Sequence, residues 1–136
     1  MKILVMGLPG SGKSTLSHKI YNSVSKSVWL NADKVRSTYN DWDFSYEGRI
    51  RQATRMKALC IDSTNYIIDM VCPLPEMRKI LNPDFIIWMD TIREGRYDDT
   101  NNIFVHPETY NIRISFFNYN INQIISEINK FLESDK

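Results

Sequence analysis

A glycine-rich segment near the N terminus has the residue types and spacing that bind phosphate groups. Residues 7–14, GLPGSGKS, match the pattern G-x-x-x-x-G-K-[ST] at every fixed position, after an apolar run and before a helical pattern. Glycines let successive backbone N–H groups point inward, and the following helix adds the positive end of its dipole. A tight turn that binds no nucleotide is the structural alternative. The residues predicted to bind the nucleotide are Gly7, Pro9, Gly10, Ser11, Gly12, Lys13, Ser14 and Thr15.

The last residues of this segment predict the cofactors. Lys13 is expected to reach the β- and γ-phosphates of ATP, and Ser14 Oγ is expected to be a ligand of Mg²⁺. Thr15 would lie beside the phosphates. ATP and Mg²⁺ are therefore the predicted cofactors.

A second polar group follows the next apolar run. Asp33 stands at the predicted carboxyl end of that strand, and Arg36 comes one helical turn later. A carboxylate facing the phosphate loop can accept a hydroxyl proton or hold magnesium, and an arginine beside it can bind an anionic acceptor. These two residues are the predicted catalytic partners of Lys13. In the structural alternative, Asp33 caps a helix that begins at Lys34, and Arg36 is solvated.

Strands and helices alternate along the chain, which predicts an α/β fold. The expected architecture is a single three-layer P-loop NTPase domain over residues 1–136, with a five-stranded, mostly parallel sheet and helices on both faces. Residues 90–107 have neither the helical nor the strand period of apolar residues, which predicts a long active-site loop, with a lid at about 91–107. Ser45 is the expected cap of the helical segment that starts at residue 46. The predicted strands are 3–6, 28–30, 66–71, 85–89 and 111–114, and the predicted helices are 13–24, 46–60, 76–81 and about 120–132.

Composition restricts the partners. Seventeen basic and sixteen acidic residues give a formal charge of +1, so phosphate recognition must be local rather than spread over the surface. The apolar run 2–6 is too short for a signal peptide or a membrane span, which predicts a cytoplasmic protein with no membrane partner. Cys60 and Cys72 are twelve residues apart with no CxxC motif, and the two histidines lack metal-ligand spacing, so neither a disulfide framework nor a zinc site is predicted. The two cysteines are expected to be reduced. A homodimer is left open.

Three segments in order resemble the adenylylsulfate kinase family of P-loop kinases. They are residues 7–16, GLPGSGKSTL, residues 31–37, NADKVRS, and residues 41–52, DWDFSYEGRIRQ. The family has GxxGxGKST, DGDxxR and GFSxxDRxxN in this order, and a looser similarity continues to the ends of later strands. The resemblance implies transfer of the γ-phosphoryl group of MgATP to a ribose hydroxyl of adenosine 5′-phosphosulfate (APS) or a similar nucleotide, a step of sulfate assimilation.

The resemblance also implies roles for individual residues. Asp33 would be the acceptor-side base or a magnesium-organising carboxylate, and Arg36 would contact the phosphosulfate or ribose. Phe44 would stack on the acceptor adenine, Arg49 would be a second anion contact, and Gln52 would hydrogen-bond the acceptor from the position of a family asparagine. The structural alternatives are a core aromatic for Phe44 and a solvated helix face for the arginines at 49, 51 and 55.

The departures from the family pattern concern the acceptor. Asn31 and Ala32 replace the first aspartate and the glycine of DGD, and the long basic lid is reduced to residues 92–97. Arg93, Arg96 and Tyr97 are the residues that could partly replace it. Asp90 also follows an apolar strand as a magnesium-binding aspartate would, but the match to the family places it one strand too late.

Two other functions stay open. A 5′-hydroxyl polynucleotide kinase also has GxPGSGKST followed by a strand-end aspartate and an arginine three residues later, and Pro9 suits that family. The segment from Phe44 to Arg49 and the net charge of +1 disfavour a nucleic-acid acceptor. The non-enzyme alternative is a P-loop nucleotide-binding protein that has lost turnover together with its lid.

Overall fold

A computed structural model describes residues 1–134 of the chain. Its helices and strands alternate in the predicted manner. In chain order they are β1 (Lys2–Gly7), α1 (Lys13–Ser23), β2 (Ser27–Asn31), α2 (Ala32–Tyr39), α3 (Tyr46–Ala58), β3 (Asn65–Asp69), α4 (Pro75–Leu81), β4 (Phe85–Met89), α5 (Asp98–Ile103), β5 (Ile112–Ile114) and α6 (Ile121–Ser134).

The five strands form one sheet in the order β2-β3-β1-β4-β5, and every pair of neighbours is parallel. This confirms the predicted α/β fold, with a sheet that is parallel throughout. β1 lies at the centre because its side chains are apolar on both faces. Ile3 and Val5 pack against α1 and α6, whereas Leu4 and Met6 pack against α3 and α4. The carboxyl ends of β1, β2 and β3 therefore meet at one edge, where a ligand is expected.

The chain departs from the sequence prediction at two helices. α2 begins at Ala32, and its N-cap is Asn31, whose side chain accepts from the backbone N–H of Lys34 at 3.1 Å. The capping hypothesis for Asp33 is therefore wrong, and its carboxylate is free of that role. The N-cap of α3 is Ser45, as predicted, and its hydroxyl accepts from the backbone N–H of Gly48.

The second departure is α5, which lies inside the segment predicted to be irregular. Asp98 and Asp99 occupy its first turn, where negative charge is favoured by the helix dipole. The side chain of Asn101 exchanges two hydrogen bonds with the backbone of Gly95, at 2.8 and 3.0 Å. These contacts need no apolar residues at helical spacing. The sequence therefore gives no helical period for α5. No helix within residues 1–134 is both long enough and apolar enough to span a membrane.

An ion-pair cluster holds the loop between α2 and α3. Asp41 accepts from Arg51 Nε at 2.7 Å and from Arg55 Nη2 at 3.0 Å, and Asp43 accepts from Arg51 Nη2 at 3.1 Å. These hydrogen bonds hold the pKa of the Asp41 carboxyl well below its usual range. The loop carries Trp42 and Phe44, so the cluster positions two aromatic rings.

This cluster predicts a pH-dependent contribution to stability. Because the pKa of Asp41 is lower in the folded than in the unfolded chain, its contribution is complete above about pH 5 and is lost as the pH falls below the unfolded value of about 4. The difference in the free energy of unfolding between wild type and Asp41→Asn should therefore shrink as the pH is lowered from 7 toward ~3, by urea titration. Glu94→Gln, at an exposed carboxylate outside any ion pair of residues 1–134, is the control. A difference that is constant with pH would contradict this account.

Candidate active site

The loop between β1 and α1 has the backbone shape of a phosphate-binding loop. A Cβ atom on Gly7 would lie 2.6 Å from the carbonyl oxygen of Met89, so only glycine fits against β4. Gly12 precedes α1 with φ +97°, a left-handed conformation that favours glycine, and it provides no side-chain cap. The N–H groups of the first turn of α1 therefore stay open to an anion. This geometry fits the phosphates of a nucleotide.

Lys13 lies at this helix start with its side chain mostly buried. Its Nζ donates to the carbonyl oxygen of Leu8 at 3.0 Å. Burial lowers the pKa of Lys13, and the nearby charge of Arg96 lowers it further. The carboxylates of Asp69 and Asp33 act in the opposite direction, because they favour the charged ammonium. Lys13 thus faces two carboxylates across the site.

Asp69 is a site residue that the sequence analysis did not assign. It closes β3, is 3% exposed, and accepts from Ser14 Oγ at 2.9 Å. Burial raises the pKa of Asp69, while the Ser14 hydrogen bond and the charge of Lys13 lower it. The available signal was a single carboxylate within the buried apolar run 66–71, on a strand that follows the phosphate loop.

The residues present fit a magnesium ion held jointly with nucleotide phosphates. No group of three or more His, Cys, Asp or Glu side chains within residues 1–134 could hold a metal on its own. Ser14 and Asp69 supply two oxygen ligands of the type Mg²⁺ prefers, and phosphate oxygens usually complete such a site. Asp33, the other carboxylate predicted for the metal, is exposed in the cavity wall and remains a prediction.

One cavity of about 570 Å³ joins the phosphate loop to α2, α3 and the segment before α5. It brings together the predicted catalytic residues and the residues implied for the acceptor. Gly7, Ser11, Gly12 and Thr15 lie outside its wall; the first three shape the loop itself, and Thr15 is exposed on α1. The predicted site residues in the wall are Pro9, Gly10, Lys13, Ser14, Asp33, Arg36, Phe44, Arg49 and Gln52.

Two buried arginines, Arg36 and Arg49, belong to the wall of this cavity. Arg36 and Arg49 are 4% and 5% exposed, so the solvated alternatives for these two residues are wrong. Arg36 Nη1 donates to the carbonyl oxygens of Asp41 and Asp43, and Arg49 Nε donates to that of Phe44. Burial lowers the pKa of both guanidinium groups.

Phe44 lies between the arginines and solvent. The guanidinium carbons of Arg36 and Arg49 are 4.3 and 5.4 Å from its ring centroid, and the ring is 46% exposed. The core alternative for Phe44 is therefore wrong. Arg51 is exposed, as the helix-face alternative expected, whereas Arg55 is largely covered by its pairing with Asp41.

Gln52 is 1% exposed and uses both ends of its amide inside the protein. Its Nε2 donates to the carbonyl oxygen of Ala32 at 3.0 Å, and its Oε1 accepts from Arg55 Nη1 at 3.0 Å. The residue thus joins α3 to the start of α2, next to Asp33. Its contact with an acceptor stays a prediction.

Two of the three residues expected to replace part of a lid belong to the cavity. Arg96 and Tyr97 line the wall, and Arg96 Nη2 lies 3.9 Å from the position that a Cβ of Gly10 would take. Arg93 is exposed and lies outside the wall. Trp42 also lines the cavity with 50% of its surface exposed, and the sequence analysis did not assign it.

Asp90 does not take part in the site. Asp90 directly follows β4, and its Oδ2 accepts from Nη2 and Nε of Arg113, the middle residue of β5, at 2.6 and 2.9 Å. β4 lies beside β1 just as β3 does, so strand order alone does not exclude Asp90. The hydrogen bonds distinguish the two carboxylates: Asp90 is paired with Arg113, whereas Asp69 accepts a hydrogen bond from Ser14 of the phosphate loop.

The comparisons with known proteins agree on the architecture. No protein-family model matches the sequence. The structure of the Mycobacterium tuberculosis APS kinase CysC in complex with AMPPNP and APS has a TM-score of 0.73 and 20% identity, covering 97% of this chain and 96% of that one. The chain has the fold of P-loop kinases.

Other structures with this fold carry different activities in their names. A gluconokinase from Sinorhizobium meliloti has a TM-score of 0.66 at 12% identity, with 98% of this chain and 91% of that one covered. Shikimate kinase from Aquifex aeolicus has a TM-score of 0.66 at 14% identity, with 99% and 98% covered. The shared fold therefore does not identify a substrate for this chain.

Proposed function

We propose that this protein is an ATP-dependent kinase that transfers the γ-phosphoryl group of MgATP to a hydroxyl of an anionic nucleotide, with APS or a similar nucleotide as acceptor. The observation that carries the proposal is one cavity whose wall includes both Lys13 and Ser14 of the phosphate loop and the buried Arg36 and Arg49. A phosphate-binding loop and a second cationic site in one enclosure suit a reaction between two anions.

Asp33 is the group that suits proton transfer between these two halves. Its charge acts on both ends of the cavity, because it opposes the lowering of the pKa of Lys13 and of Arg36. Within residues 1–134 its side chain has no hydrogen-bond partner, and the helix cap is provided by Asn31. In the proposed reaction Asp33 accepts the proton of the acceptor hydroxyl.

The remaining residues bind and orient the reactants. Bound MgATP supplies the phosphoryl group and the positive charge of the metal ion. Lys13 and the uncapped N–H groups of α1 hold its phosphates, and Ser14 with Asp69 holds the ion. Arg36 and Arg49 bind the anionic end of the acceptor, which aligns its hydroxyl with Asp33.

A panel of acceptors with labelled ATP tests the proposal. Label should move to APS in preference to a 5′-hydroxyl oligonucleotide, and Lys13→Ala protein provides the background. Because the lid is short, measurable hydrolysis of ATP without acceptor is expected, since lid closure normally excludes water. Labelling of oligonucleotide 5′ ends alone would favour the polynucleotide kinase alternative. Absence of both transfer and hydrolysis would favour a nucleotide-binding protein without turnover.

The aromatic rings of the cavity give a separate prediction about acceptor binding. Trp42 and Phe44 line the cavity, and a base stacked on such a ring gains about 1–3 kcal/mol. Phe44→Ala or Trp42→Ala should therefore raise the KM for the acceptor roughly five- to 150-fold and change the KM for ATP much less. Tyr46→Ala is the matched control, because Tyr46 is exposed on the same segment but lies outside the cavity wall. An equal rise in both KM values would contradict base stacking on the acceptor side.

A further inference from the structure

The Asp69 carboxylate is held almost entirely through one of its oxygens. Oδ2 accepts from Ser14 Oγ at 2.9 Å, from Asn31 Nδ2 at 3.1 Å and from the indole Nε1 of Trp29 at 3.3 Å. Asn31 and Asp69 are register partners at the ends of the parallel strands β2 and β3, which brings their side chains to the same edge of the sheet. Trp29 precedes Asn31 by two residues and so lies on the same face of β2.

Asn31 uses the two ends of its amide on two different elements. Its Oδ1 caps α2 by accepting from the backbone N–H of Lys34 at 3.1 Å, while its Nδ2 donates to Asp69 and lies 3.5 Å from Ser14 Oγ. An aspartate could provide the same cap, but it has no donor and would place a second negative charge beside Asp69. A serine could cap as well, but its side chain is shorter and carries one hydroxyl. Only an amide performs both functions here.

We propose that Asn31 is a positioning residue that connects the acceptor-side helix α2 to the Ser14–Asp69 pair through its single side-chain amide. The inference rests on the proposed function for its catalytic consequence. α2 carries Asp33 and Arg36, so its placement relative to the phosphate loop determines where the acceptor hydroxyl meets the phosphoryl group.

The kinetic test compares two substitutions that keep a capping oxygen. Asn31→Ser loses the amide donor, and Asn31→Asp loses it and adds a charge. Each should lower kcat by about 10–100-fold, the usual effect of losing a group that orients a metal ligand, with a change of less than about threefold in the KM for ATP. The matched control is Asn120→Ser at the start of α6, where Asn120 accepts from the N–H of Gln123, and it should keep the wild-type kcat. Wild-type kcat in Asn31→Ser would overturn the proposal.

A second measurement does not depend on turnover. In ¹⁵N spectra of the unliganded protein, the Asn31 side-chain amide should exchange slowly with solvent and should shift in Asp69→Ala but not in Asp33→Ala. An amide that exchanges freely and ignores Asp69→Ala would overturn the proposal whatever the enzyme does. If the Asn31 amide responds to Asp69→Ala as expected but the wild-type protein transfers no phosphoryl group, the proposed function is contradicted. The connection between α2 and the Ser14–Asp69 pair through Asn31 is then still supported.

Discussion

Replacement of Lys13 by alanine should reduce phosphoryl transfer by about 10²–10³-fold or more. In the proposed reaction the ammonium group is a preorganised cation beside the phosphates, and loss of one such group that faces developing charge costs this much in rate. The folded state should be retained, because Lys13 lies in the cavity wall at the start of α1 and outside the two apolar core clusters. Initial rates with labelled ATP and thermal unfolding measure the two effects.

Lys19→Ala is the control for this experiment. Lys19 lies on the same helix, is exposed, and contacts the ring of Tyr119 rather than the cavity. It should keep the wild-type rate. A Lys13→Ala protein that turns over ATP normally would show that the nucleotide binds elsewhere.

Substitution of Asp33 by asparagine should lower kcat by about 10²–10⁴-fold, the usual contribution of a general base. The variant keeps the size of the side chain and loses its ability to accept a proton. Since Asn31 caps α2, Asp33→Asn should leave the melting temperature nearly unchanged. The KM for ATP should change less than kcat, because in the proposed reaction the loop between β1 and α1 holds the phosphates.

Thr38→Ala, on the solvent side of the same helix, is the matched control for Asp33→Asn. Among residues 1–134 its hydroxyl bonds only to the carbonyl oxygen of Lys34, and Thr38→Ala should leave kcat near the wild-type value. Unchanged activity in Asp33→Asn would remove Asp33 from the reaction and leave Asp69 as the carboxylate of the site.

Features that depend on neighbouring residues were readable from the sequence. The phosphate loop is eight contiguous residues in which Gly10 and Gly12 have positive φ, a local requirement, and the structure forms it between β1 and α1 as the pattern predicts. The strands β1 to β4 were visible as mainly apolar runs because a parallel sheet covered on both faces needs apolar side chains on both, whereas β5 is a short edge strand with an exposed arginine at its centre. The cap of α3 by Ser45 was likewise local.

Features that join distant segments were decided by the tertiary structure. Asn31 and Asp33 are both good capping residues, and the pairing of β2 with β3 places Asn31 beside Asp69 at the end of the sheet. The burial of Arg36 and Arg49 depends on the loop of residues 41–44 folding over them through carbonyl groups, which carry no side-chain signal. Asp69 reads in the sequence as one polar residue in an apolar strand, and it becomes part of the site because parallel pairing sets β3 between β1 and β2, within hydrogen-bond distance of Ser14.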